Sequence, residues 1–162
     1  MDKSNTKKLI VRECQKQGIT KPEAIQYVLA TVEHETNRTF KPIKEAYWLS
    51  EKWRAKHLRY YPYYGRGFVQ ITWEENYRKF GDLLGIDLVK NPDLALDFNN
   101  ALFILVYGMK HGLFTGKKLD DYFNENGSNF VKARKIINGK DKAKKIALLA
   151  QNYAIASIAS SA

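Results

Sequence analysis

Gln70, Thr72 and Asn76 are three small hydrogen-bonding side chains within one short stretch, Tyr63 to Tyr77. Ahead of them Gly65 and Gly67 flank Arg66, which opens the backbone to conformations barred to other residues. Phe68 to Thr72 is a short run of strand-favouring residues. Thr72 and Glu75 then form a Thr-x-x-Glu pattern, the signature of a capped helix start. Small polar groups on such a rigid frame suit a grip on a polyhydroxylated ligand. The structural alternative is an aromatic-rich turn with a good helix cap.

Carboxylates supply the other candidate chemistry. Ile25, Val28, Leu29 and Val32 recur at helical spacing, and the same stripe continues to Glu35. Glu35 is therefore expected near a helix C-terminus on the core-facing side. Partial burial and the negative helix end both disfavour its charged form, as proton donation near neutral pH requires. The alternative is a solvent-facing glutamate at a frayed helix end. Pro42 interrupts any helix crossing it, so Glu45 is free to face Glu35 across a cleft. Glu51 lies in the same interval. Were this stretch helical, the two acids would be about 240° apart around the axis, and only one would look toward Glu35. Glu51 is followed by Lys52, Arg54 and Lys56, a setting that favours a surface ion pair.

The elements that must hold these groups are mostly helical. Ser4 to Gln17 suits a helix with Leu9, Ile10 and Cys14 as its stripe and Gly18 as its stop. Thr20-Lys21-Pro22-Glu23 reads as a capped start for the Glu35 helix. A helix from Asn76 to about Leu84 ends at Gly85, and Asn91-Pro92-Asp93 is a turn. Phe98 to Lys110 is almost continuously apolar, a helix buried on most sides and stopped by Gly112. Leu119 to Phe123 reads as a short helical turn and Asn126-Gly127 as a tight turn. Ser128 is expected to cap a helix through Ile137, and Asp141 a last helix carrying Ile146, Leu149 and Tyr153. The expected fold class is mainly α, with at most a small β-hairpin.

Composition narrows the partners. The chain has 162 residues, 44% hydrophobic and 13% aromatic, which fits one globular domain spanning 1–162. A net charge of +10 favours a polyanionic partner. The basic residues are dispersed apart from Lys132, Arg134, Lys135, Lys140, Lys142, Lys144 and Lys145, for which a solvated helix face is the favoured reading. Trp53 to Tyr64 is dense in aromatic and basic residues. Such faces stack on sugar rings, and equally on single-stranded nucleic acid. A nucleic-acid-binding domain, however, has no use for the paired carboxylates. Cys14 is the single cysteine, and His34, His57 and His111 lack ligand spacing, so neither metal nor cofactor is expected. The N-terminus lacks the layout of a signal peptide, no apolar run reaches membrane-spanning length, and a monomer is expected.

Gly65-Arg66-Gly67-x-x-Gln70-x-Thr72-x-x-x-Asn76-Tyr77 resembles the signature of the family 19 glycoside hydrolases, the plant-type chitinases and related endolysins. His34-Glu35-Thr36 is similar to the family's segment around its catalytic acid, and Ile136-Ile137-Asn138-Gly139 to a third motif. The three occur in the family's order over roughly residues 20 to 155. The resemblance implies a lysozyme-like fold and inverting hydrolysis, with Glu35 as acid, Glu45 as base and Thr72 helping to hold the water. It implies substrate contacts at Gln70, Asn76 and Asn138. Tyr64 and Arg66 are added as candidate sugar contacts. Glu75 stands where plant chitinases usually carry tyrosine. The interval between the acid and Gly65 is shorter than theirs, and their cysteines are missing. These departures point to the endolysin branch and to peptidoglycan, with chitin as the alternative substrate and no nucleic acid as a partner. An endolysin without a signal peptide would wait in the host cytoplasm for a membrane pore.

Overall fold

The structure is a computed structural model, described for residues 1–160. It is mainly α and lysozyme-like, with two miniature antiparallel strand pairs. Helix α1 (Lys3–Lys16) is capped by the Asp2 carboxylate, which accepts from the Asn5 N–H at 2.8 Å. Its face of Ile10, Val11 and Cys14 is fully buried, and Gly18 ends the segment in a left-handed conformation (φ +87°). Helix α2 (Pro22–Glu35) buries a continuous run from Tyr27 to Val32. The expected Thr20 cap is not made: Lys21 occupies the cap position without a side-chain bond. Pro22 in the first turn forfeits nothing there, because its missing N–H would have had no helical partner.

Strand β1 (Ile43–Lys44) follows, then α3 (Glu51–His57), β2 (Arg66–Gly67) and α4 (Glu74–Leu84). The pair is antiparallel, Ile43 opposite Gly67 and Lys44 opposite Arg66. The expected strand from Phe68 to Thr72 is mostly a turn. Ile71 exchanges backbone hydrogen bonds with Arg66, and Gly67 takes φ +110° to allow it. Phe68 and Val69 at the turn tip are buried in the core, and that burial outweighs strand propensity. Helix α5 (Phe98–His111) is the expected buried helix, closed by Gly112 at φ +70°.

The C-terminal part departs from expectation most. Strands β3 (Phe123–Asn124) and β4 (Gly127–Ser128) form a hairpin around the predicted Asn126-Gly127 turn. Ser128 is therefore in a strand and caps nothing. Asn129 accepts from the Lys132 N–H at 3.0 Å instead, and only a 3-10 turn, Lys132–Ile136, follows. Asp141 does not cap the next helix either; Lys142 holds that position at φ +60°. The last helix is two, α6 (Ala143–Gln151) and α7 (Ile155–Ser160). Gln26 of α2 donates to the carbonyls of Ala150 and Tyr153 at 3.0 and 2.9 Å, satisfying the backbone where the chain breaks.

Two apolar clusters result. The larger joins α1, α2, α5, α6 and α7; the smaller gathers Ile71, Tyr77, Phe80, Leu88 and Ala95. Helix α5 serves both, giving Leu105 and Met109 to the first and Ile104 to the second. Among the described residues no helix is long and apolar enough to cross a membrane.

Candidate active site

A buried arginine anchors the Gly65–Tyr77 segment. The Arg66 guanidinium is 2.9 Å from Asp93, donates to the Pro62 carbonyl at 2.8 Å and to the Tyr77 hydroxyl oxygen at 2.9 Å, and lies over the Tyr64 ring at 3.8 Å. Tyr77 in turn donates a hydrogen bond from its hydroxyl to the Tyr64 carbonyl. Burial pushes the Tyr77 phenol up to about 12 despite Arg66 beside it, so it remains a donor. Tyr64 and Arg66 are 0% and 4% exposed. This corrects their assignment as sugar contacts. Their polar groups are committed inside the fold, and what they position is the turn above them.

That turn forms one wall of a cleft of about 280 Å³. Glu35, Gln70, Thr72, Asn76 and Asn138, which the sequence scatters over a hundred positions, all line it. Phe80 and Phe114 add apolar lining. Gln70 lies over Gly65, where a Cβ would sit 2.5 Å from its Oε1. Its Nε2 donates to the carbonyls of Ile43 at 3.0 Å and Gly67 at 3.3 Å, tying the turn to β1. Asn76 donates to the Thr72 carbonyl at 2.7 Å. The expected Thr72 cap is absent. Trp73 takes the cap position at φ +76°, a strained conformation for a bulky residue. Trp73, 43% exposed, lines the cleft, with Tyr60 and Arg59 packed against its ring.

Glu35 is the last residue of α2, as its stripe predicts, and its side chain is 20% exposed. Its Oε1 accepts from Arg134 at 2.7 Å. Arg134 is 3% exposed and also donates through Nε to the Asp141 carbonyl at 2.8 Å. Nothing in the sequence signals this cation beside the carboxyl. Oε2 of Glu35 has no protein partner among the described residues. Glu33, one position from His34, turns away to accept from Tyr153. His34 is half-buried; burial lowers it below the ordinary histidine range, with Glu35 pulling up and Arg134 and Lys145 pushing down.

Glu45 does not line the cleft itself. It follows β1 directly and is fixed on three sides. Its N–H donates to the Gly65 carbonyl at 2.7 Å, its Oε1 accepts from the Gly65 N–H at 2.9 Å, and its Oε2 accepts from the Tyr60 hydroxyl at 2.5 Å. Burial and that carboxylate push the Tyr60 phenol up to about 12. Arg54 clamps the turn beyond, donating to the carbonyls of Ala46 and Leu49 at 2.8 and 2.9 Å. Glu51 opens α3 and points elsewhere. It pairs with Arg54 at 3.1 Å and accepts from Tyr61 and Tyr64 at 2.8 and 3.0 Å. The sequence placed Arg134 in the basic cluster and Tyr60 in the aromatic stretch without giving either a role beside the two acids, and it did not single out Trp73. The one available signal was an arginine between Ala133 and Ile136, two positions that belong to an apolar face.

The profile of the class I chitinases, family 19 of the glycoside hydrolases, matches residues 26–107, just over half of the chain. The chain belongs to this family. The matched span includes Glu35, Glu45 and the whole Gly65–Tyr77 segment. Chitinase 11 of Oryza sativa subsp. japonica is 62% identical over 34 residues, which is 21% of this chain and 13% of that protein. Endochitinase A2 of Pisum sativum is 46% identical over 46 residues, 25% of this chain and 14% of that one. Inactive chitinase-like protein 1 of Hevea brasiliensis is 56% identical over 33 residues, 20% and 10% of the two chains. The chain thus aligns with a small fraction of the length of these relatives.

Proposed function

We propose that the protein hydrolyses β-1,4 glycosidic bonds in the glycan strand of peptidoglycan, by an inverting mechanism with two carboxylates. The observation that carries this reading is Glu35. It ends α2 in a cleft whose remaining polar side chains, Gln70, Thr72, Asn76 and Asn138, are all neutral hydrogen-bonding groups. A neutral sugar needs such groups and a single acid aimed at the bond to be cut.

Glu35 is the general acid. Arg134 occupies its Oε1, which leaves Oε2 as the oxygen that delivers the proton to the leaving group. Glu45 is the base, taking a proton from a water that attacks the opposite face of the sugar, with the Thr72 hydroxyl holding that water. Inversion asks for roughly 6.5–9.5 Å between the carboxyl groups, the space of one water. Tyr60 and the Gly65 N–H fix both Glu45 oxygens and leave each a further lone pair for the water. Gln70, Asn76 and Asn138 bind the sugars on either side.

The short interval between Glu35 and Gly65 and the absence of paired cysteines favour the endolysin branch over the plant enzymes. Chitin is the second reading, supported by the names of the similar plant proteins. Turbidity loss of outer-membrane-stripped cells, compared with sugar release from colloidal chitin, separates the two; chitin cleavage without lysis would sink the first. Mass spectrometry of borohydride-reduced digestion products then identifies the bond cut.

A further inference from the structure

The basic cluster is not a solvated face of one helix. Lys132 and Lys135 come from the 3-10 turn, Lys140 and Lys142 from the loop after Gly139, and Lys144 and Lys145 from α6. All six are exposed, and they converge on one groove of about 560 Å³ that also includes Val131 and Ala143. Among the described residues none of the six ammonium groups has a hydrogen-bond or ion-pair partner. Six unneutralised cations around one groove repel each other and are an electrostatic site for a multiply anionic ligand.

The groove's position says which ligand. Ile137 and Asn138 line the cleft of Glu35, while their neighbours Lys135 and Gly139 line the groove. A polymer in the cleft that leaves past Asn138 runs along the lysines. We propose that this groove receives the anionic stem peptides carried by the peptidoglycan strand, and so selects peptidoglycan over uncharged chitin. This rests on the glycan-hydrolase reading above. Stem peptides carry free carboxylates for the lysines, and their alanine methyls suit Val131, which is 45% exposed.

The test uses the full chain and the variant Lys132→Gln, Lys135→Gln, Lys140→Gln, Lys144→Gln, with Lys135→Gln, Lys144→Gln as a milder pair. Three substrates are compared: peptide-bearing glycan strands, the same strands stripped by an amidase, and a chito-oligosaccharide. On peptide-bearing strands kcat/KM is expected to fall roughly tenfold through KM, as four exposed charge contacts allow. On stripped strands and the chito-oligosaccharide it stays within about twofold of wild type. An equal fall on stripped strands, or no fall on peptide-bearing ones, overturns the proposal. If the wild type cuts no peptidoglycan, the hydrolase reading fails separately. Fluorescence anisotropy with labelled peptide-bearing strands then decides the groove: binding lost in the lysine variants supports it, and equal binding refutes it. Displacement by an oligonucleotide at physiological salt more readily than by soluble stem peptide would also overturn it.

Discussion

Replacing Arg134 with methionine keeps an unbranched apolar stem, though a shorter one, and removes the charge and both hydrogen bonds that the buried side chain makes. Glu35 loses its 2.7 Å partner and the Asp141 carbonyl its 2.8 Å partner. Breaking one side of a buried ion pair costs about 3–5 kcal/mol. Glu35 keeps a fifth of its surface open to water, which places the loss at the low end, about 3 kcal/mol. For a domain of this size each kcal/mol lowers Tm by about 2–4 °C, so the melt should fall by about 6–12 °C. Burial and dipole alone predict that Glu35→Gln leaves Tm unchanged or raises it. The Arg134 contact reverses that expectation: the amide still accepts the hydrogen bond but no longer meets the buried cation with a charge, a loss of about 1–2 kcal/mol. Adding Glu35→Gln to Arg134→Met should cost less than the two singly, because the neutral amide has no need of the cation, with a coupling of about 2 kcal/mol. Calorimetric melts of the four proteins complete the cycle. An Arg134→Met melt within about 1 °C of wild type, or a coupling below about 0.5 kcal/mol, would refute the ion pair as an energetic unit.

Glu45→Gln should reduce turnover by about 10²–10⁴, the usual worth of general base catalysis, with folding intact, whereas Glu51→Gln should cost turnover little; the reverse pattern means that the second acid has been misassigned. Tyr60→Phe removes the hydroxyl that aims Glu45 and should lower kcat about tenfold, by the loss of one hydrogen bond to a charge, with KM little changed; a KM effect alone would place Tyr60 in binding. Gly65→Ala puts a methyl 2.5 Å from Gln70 Oε1 and 2.9 Å from its Cβ. It should destabilise by about 1–3 kcal/mol and weaken substrate binding, which isothermal titration with an inactive Glu35→Gln background measures. Glu51 is held below the usual carboxylate range: burial pushes it up, but hydrogen bonds from Tyr61, Arg54 and Tyr64 outweigh that. A depressed folded-state value contributes stability above the unfolded value near 4.3 and loses it as pH falls through the folded value. The stability gap between wild type and Glu51→Gln should therefore narrow as melts are taken from about pH 5 downward; a gap constant with pH would contradict it.

The sequence by itself determined the features that depend on near neighbours. The α2 stripe put Glu35 at a helix end, and the structure has it as the last helical residue. The apolar run after Phe98 became the buried α5, and Gly85 and Gly112 closed their helices at positive φ. The order of the three motifs indicated the family, and the structure brings Glu35, Gln70, Thr72, Asn76 and Asn138 to one cleft. Predictions failed where a local signal competed with burial or with a distant partner. The caps at Thr20, Thr72, Ser128 and Asp141 were plausible by spacing, yet Lys21, Trp73 and Lys142 hold three of those cap positions without a side-chain bond and Asn129 makes the fourth, since a cap contributes only about 1 kcal/mol. Packing of Phe68 and Val69 exceeds that, and the Arg134 bond to Asp141 and the Gln26 bonds that close α6 add to it. Tyr64 and Arg66 looked like ligand contacts because aromatic and basic residues serve surfaces and interiors alike. Only the fold shows the Arg66 donors already spent on Asp93, Pro62 and Tyr77. Arg134 meets Glu35 across ninety-nine positions, and the six lysines meet across three elements. Both juxtapositions are set by how α2, the 3-10 turn and α6 pack, and no spacing within the chain encodes the distance between them.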